Sequence, residues 1–182
     1  MIKKHFLLLF VIGFFQFNTQ GQVIKEWGIG PELVLNIPLV EPAIGARAHL
    51  HLSNQFFLSP SVFYFPGFNN INELYAGLGV NFKILQSQKW SPYFNASGFY
   101  NRFINYAASP LPDAQPNNFV FEAGIGAVKN YGCWRPFVEY RVNTKWWESN
   151  LTAGVLVYFN ACKGGGKGKG GRNDCPAFTL LN

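Results

Sequence analysis

"ELYAGLGVNFKI", residues 73 to 84, alternates without a break. Leu74, Ala76, Leu78, Val80, Phe82 and Ile84 share one parity; Glu73, Tyr75, Gly77, Gly79, Asn81 and Lys83 share the other. A period of two belongs to a strand with unlike faces, since successive side chains point to opposite sides of the sheet. The same alternation marks "IGARAHLHLSN", residues 44 to 54, and the segments 27–37, 56–65, 90–103, 119–128, 134–143 and 147–159. Eight such segments, an even number with no helical pattern between them, predict an all-β chain folded as an eight-stranded antiparallel up-and-down barrel.

Composition decides which face is outside. Charged residues make up only 13% of the chain against 48% hydrophobic and 18% aromatic, whereas a soluble domain carries about 25% charged residues. The polar parity is rich in Gly, Ser and Asn, which fit a crowded lumen. The opposite parity bears Trp, Phe and Leu too bulky to fill so small an interior together. A soluble barrel of the lipocalin kind exchanges these faces, so the expectation is a transmembrane β-barrel. At roughly 3.3 Å per residue and a tilt near 40°, ten or eleven residues cover about 25 to 28 Å, the height of an outer-membrane apolar band. Trp27, Phe56, Trp90, Trp134 and Phe159 mark strand ends at one rim, and Tyr64, Tyr100, Phe119 and Trp147 the other. Two aromatic belts suit two membrane interfaces.

The chain divides into three parts. Residues 1–21 have the layout of a signal peptide: Lys3 and Lys4, an apolar run from Phe6 to Phe15, then small residues before a cut after Gly21. Residues 22–160 are the expected barrel. Residues 161–182 form a Gly/Lys-rich tail, expected to be flexible, with Lys163, Lys167, Lys169 and Arg172 as its basic groups. With the N-terminus periplasmic, the turns "SNQ", "QSQK" and "NYGC" face the periplasm and the tail does too. The connections "PLVEP", "PGFNNIN", "INYAASPLPDAQPNN" and "TKWWE" face outward. Five of the six net positive charges reside in the two ends, and no clustered basic groove for nucleic acid occurs in the body.

The inward parity gathers Glu32, Glu73, Glu122 and Glu139 with Arg47, Lys83, Arg135 and Arg141. Enclosed charges must be paired, so the expectation is a lumenal salt-bridge plug, with a narrow ion channel as the alternative. His49 and His51 share that face. Two residues fall short of a zinc ligand set, so lumenal hydrogen bonding is their expected role and no metal or cofactor is expected. Cys162 and Cys175 enclose the tail and can form a disulfide in an oxidising compartment, leaving Cys133 unpaired.

The segments "YAGLGVNFKI", "FEAGIGAVKN" and "LTAGVLVYF" resemble the small eight-stranded outer-membrane barrels of Gram-negative bacteria, the OmpA- and OmpX-like class, and more narrowly the outer-membrane beta-barrel family common in Bacteroidota. The resemblance covers residues 22–160. It implies export by the Sec route, insertion by the barrel-assembly machinery, contact with outer-membrane lipid and Phe159 as the last-strand aromatic. "HLSN", residues 51 to 54, is similar to the His-x-Ser-Asn stretch of outer-membrane lipid A deacylases. That match makes His51 the base and Ser53 the nucleophile, but the first acid downstream, Glu73, lies at the far end of the next hairpin. The reading preferred from sequence is a non-enzymatic outer-membrane barrel. It meets a periplasmic or outer-membrane protein partner through its outer loops or basic tail.

Overall fold

The computed structural model describes residues 26–67, 72–85, 90–104 and 115–159. The expected signal segment and basic tail lie outside them. Eight strands follow in chain order: β1 (Glu26–Asn36), β2 (Glu41–His51), β3 (Phe56–Phe65), β4 (Glu73–Lys83), β5 (Trp90–Phe103), β6 (Asn117–Lys129), β7 (Trp134–Asn143) and β8 (Ser149–Tyr158). Each pairs antiparallel with its sequence neighbours, and β8 returns to β1 to close the barrel. The end that holds Glu26 and Tyr158 is called the terminus end below, and the opposite one the loop end.

The closing seam has a local defect. Pairing of β1 with β8 runs from Gly28↔Tyr158 and Ile29↔Val157 directly to Glu32↔Gly154. Pro31 has no N–H to give the ladder. At Gly30 the Val155 carbonyl approaches so closely that no side chain fits.

Outward parity leaves large apolar side chains bare: Leu33 is 63% exposed, Ile44 64% and Phe121 66%. Inward parity is buried and stacks in three layers. Phe57, Tyr93, Val128, Phe137, Leu156 and Tyr158 pack toward the terminus end. Val34, Ala43, Phe63, Phe65, Tyr75, Phe99 and Val120 pack toward the loop end. Buried charges lie between. The polar, small-residue lumen expected from sequence is therefore half of the picture. Aromatic rings fit because each faces a glycine on the neighbouring strand: Tyr158 over Gly28, Phe63 over Gly45, Phe99 over Gly77, Tyr93 over Gly126 and Phe137 over Gly154. Large opposite small is how a narrow barrel interior reaches native packing density.

Two turns depart from the expected strand ends. The β1–β2 turn is Ile37–Val40, so Glu41 and Pro42 belong to β2 rather than to a loop. The alternation assigned Trp147 to the last strand, but β8 starts at Ser149 and Trp147 sits in the turn, 80% exposed with φ of 56°. Trp146 turns inward instead and stacks on Phe103 at 5.9 Å. Asn143 sets this reversal, because its side-chain oxygen accepts from the backbone N–H groups of Lys145 and Trp146 at 2.9 and 3.3 Å.

The packing of glycine under rings has a direct test. A Cβ at Gly77 meets the Gly98 carbonyl and the Phe99 ring, whereas one at Gly98, on the outward face, meets only the Phe121 ring at ordinary contact distance, 3.6 Å. Gly77→Val is expected to cost about 1–3 kcal/mol, as other overpacked cores do. Gly98→Ala is expected to leave stability within about 0.5 kcal/mol. Urea titration followed by heat-modifiable gel mobility measures both.

Candidate functional site

The middle lumenal layer is a chain of five charged side chains drawn from four strands. Arg47 Nε lies 2.8 Å from Glu32 Oε2, and Arg47 Nη1 lies 2.6 Å from Glu139 Oε2. The same Glu139 oxygen is 3.7 Å from Arg141 Nε, and Arg141 Nη1 is 3.3 Å from Glu122 Oε2. All five side chains are almost fully enclosed. Several N–H bonds point off the oxygens they approach, so these contacts act as ion pairs more than as aligned hydrogen bonds. Neutral groups complete the shell. Tyr93 donates to Glu139 Oε1 at 2.7 Å, Asn150 donates to Glu122 Oε1 at 2.8 Å, and Arg141 donates to Thr152 at 2.8 Å.

The guanidinium faces are covered as well as their edges. Arg47 lies 4.8 Å from the Phe137 ring of the terminus-end cluster. Arg141 lies 5.3 and 5.6 Å from the Phe99 and Phe63 rings of the loop-end cluster. Each arginine thus joins a carboxylate to an aromatic layer, a use of the planar cation that lysine cannot copy.

Sequence reasoning grouped ten lumenal residues, and the structure divides them. Glu32, Arg47, Glu122, Glu139 and Arg141 meet in the middle. Glu73 stays at the loop end, where it accepts from Asn101 at 3.0 Å; Asn101 in turn accepts from Asn118 at 3.4 Å, and Lys145 donates to Asn118 at 2.6 Å. Arg135 and Lys83 stay at the terminus end. Arg135 pairs with Glu26 at 2.8 Å and covers the Tyr158 ring at 3.9 Å. Neither Glu26 nor Tyr158 was singled out from sequence, because each is recognisable only once β1, β7 and β8 are neighbours.

His49 Nδ1 and His51 Nε2 each lie 3.0 Å from the Tyr158 hydroxyl. Lys83 Nζ approaches His51 Nδ1 at 3.4 Å. An ammonium only donates, so His51 Nδ1 accepts and His51 Nε2–H points to the phenol. The phenol then donates to His49 Nδ1. The directions of the whole relay follow from one lysine.

Ser53 serves its turn. Its hydroxyl oxygen accepts from the backbone N–H of Phe56 at 2.9 Å and of Gln55 at 3.2 Å. Both ring nitrogens of His51 face other groups, so the base–nucleophile contact that the deacylase resemblance implies is not formed. Among the described residues no cluster of three or more His, Cys, Asp or Glu is placed to hold a metal ion.

One cysteine assignment is corrected. Cys133 is disulfide-bonded, not unpaired. The expected pairing of Cys162 with Cys175 falls on residues outside the described ones.

No family model and no curated relative matches the chain. Solved structures do. The N-terminal β-barrel domain of Pseudomonas aeruginosa OprF matches with a TM-score of 0.59 at 12% identity, covering 74% of this chain and 98% of that one. A de novo designed transmembrane β-barrel matches at 0.54 and 20% identity, covering 75% and 98%. A second designed transmembrane barrel, solved in solution, matches at 0.50 and 16%, covering 78% and 98%. The chain has the closed, all-antiparallel eight-stranded fold of outer-membrane-type barrels.

Two predictions follow from the charges. Glu139→Gln leaves Arg47 and Arg141 facing an uncharged group and is expected to cost about 3–5 kcal/mol, as loss of one partner in a buried pair does; urea unfolding of the full chain measures it. At the loop end, burial raises the pKa of Glu148 in the β7–β8 turn. The Asn36 amide, donating at 2.9 Å, pulls it down, while Glu41 and Glu122 push it up. The folded chain therefore holds this proton more tightly than the unfolded one. Stability falls as pH rises from the ordinary carboxylate range, about 4, through the raised value. Glu148→Gln should flatten that decline in unfolding curves taken across pH.

Proposed function

We propose that the chain is a non-enzymatic integral protein of the Gram-negative outer membrane, of the kind found in Bacteroidota. Both termini lie in the periplasm, and side chains plug the lumen. One observation carries this reading: Leu33, Ile44, Phe119, Phe121 and Ile125 are exposed on the outward face while Arg47, Arg141, Glu32, Glu122 and Glu139 are sealed within. Water outside would penalise the first set, and an empty or apolar interior would penalise the second. Hydrocarbon outside satisfies both.

The three stacked layers support a plug over an ion path. The arginines are fixed edge and face, and the aromatic clusters lie above and below them. The turn role of Ser53 and the engaged nitrogens of His51 support a barrel without hydrolase chemistry. With the lumen filled, recognition of a protein partner falls to the loop end and to the basic tail.

Fractionation of cells that express the full chain tests the reading. Wild type is expected in the outer membrane, resistant to carbonate extraction, with heat-modifiable mobility and silent planar bilayers. Recovery as a soluble monomer overturns it. Lipid A mass spectra are expected to be the same for wild type and Ser53→Ala; a difference in acylation would restore the hydrolase. Partners that co-purify with full-length chain but not with a truncation after Asn160 would assign recognition to the tail.

A further inference from the structure

Among the described strand residues, only two charged side chains lie on the outward face, and both are basic. Arg102 stands near the loop end of β5 and Lys129 at the terminus end of β6. Arg102 pairs with Asn117, so the two cations are twelve residues apart along one hairpin. At roughly 3.3 Å per residue and a tilt near 40°, that is about 30 Å across the membrane. They stand at the levels of opposite headgroup layers.

Lys129 is set apart by its surroundings. Its ammonium lies 5.2 Å from the Trp90 ring and 4.6 Å from the Tyr131 ring. Both rings are exposed on the outward rim, and no described carboxylate comes within ion-pair distance of the lysine. Two residues back along β6, at Ala127, an apolar groove of about 390 Å³ opens on the same face. Pro92 and Ala127 form its low floor, being direct partners across β5 and β6. Ile84, Ile125, Val138 and Tyr140 raise its walls.

We propose that this face binds one phospholipid with a negatively charged headgroup, its phosphate on Lys129 between Trp90 and Tyr131 and one acyl chain in the Ala127 groove. The inference rests on the membrane reading above and deepens it. Charge complementarity selects the occupant: a cation without a carboxylate partner, held at an interfacial aromatic rim, takes an anionic headgroup. The neighbouring groove selects a lipid over free phosphate, because an acyl chain gains from burial that an inorganic ion does not. A second outward groove, past Pro31, Ile44, Ala46 and Val62, has apolar walls too. It carries no described outward charge at either end, so it lacks the headgroup anchor and serves as the control.

Native mass spectrometry of the full chain, released from detergent and titrated with dioleoylphosphatidylglycerol, tests the site. Wild type is expected to keep one lipid. Lys129→Gln should weaken retention about fivefold, the scale of one basic group at an anionic surface, and Lys129→Arg should restore it. Ala127→Phe, which fills the groove, should abolish it, whereas Ala46→Phe and Arg102→Gln should retain it. Excess inorganic phosphate should not displace the lipid; displacement would reassign Lys129 to a free anion and overturn the lipid site. Retention unchanged in both Lys129→Gln and Ala127→Phe, or equal loss in Ala46→Phe, also overturns it. Heat-modifiable mobility confirms that each variant is folded. Failure of the membrane reading is distinct, since wild type would then stay soluble without detergent.

Discussion

Eight tilted strands enclose a space with room for side chains and little else, and everything inside this barrel answers to that limit. Arg47 and Arg141 are among the largest fully buried side chains. Each needs negative charge at its edge and something polarisable against its face. Glu139 satisfies both arginines at their edges, while Phe137 covers one and Phe63 with Phe99 covers the other. The carboxylate chain is therefore inseparable from the aromatic layers. Their rings in turn require Gly45, Gly77 and Gly154 on the adjoining strands.

That arrangement explains why the outside can be so plain. Strand register is fixed from within, because sliding β1, β2, β6 or β7 by one residue would carry a paired charge to the outer face and an apolar side chain to the inner one. The outward surface is left with apolar side chains, which suits the proposed membrane setting. At its two rims Trp27 packs against Phe159 at 4.4 Å, and Tyr100 meets Phe119 at 5.7 Å. Fold specificity resides in the lumen, and on the proposed membrane reading depth is set at the rims.

Period-two alternation made the strands legible, because "ELYAGLGVNFKI" and its counterparts each declare their own faces. Long-range pairing declared nothing. The match of Phe99 with Gly77 or Tyr158 with Gly28 joins residues on different strands, so a lumen judged strand by strand looked small and polar. Glu26 was invisible for the same reason: its partner Arg135 comes more than a hundred residues later. Trp147 misled because alternation persists for a few residues past a strand end, while the Asn143 side chain had already turned the backbone. The "HLSN" stretch misled differently. A four-residue match carries residue types but not the neighbours of each nitrogen and oxygen, and here Tyr158, Lys83 and two turn amides occupy them.

In the proposed plugged barrel, function moves to the periphery. The loop end is drawn inward: Trp146 stacks on Phe103, Lys145 reaches Asn118, and Glu148 receives the Asn36 amide. The terminus end is the more basic one, since Arg135 is answered by Glu26 while Lys83 leans on His51 and the Phe57 ring. Lys129 adds positive charge on the outside of that same end. The disulfide at Cys133 belongs there as well: the Cys133 carbonyl accepts from Tyr158 N–H at 2.8 Å, which ties the β6–β7 turn to the last residue of β8. On the proposed membrane reading, an end that is cationic inside and out suits an anionic surface, whereas the barrel wall suits lipid chains. The proposed division of labour follows from the first constraint: side chains that fill the lumen leave charge free to act where the strands end.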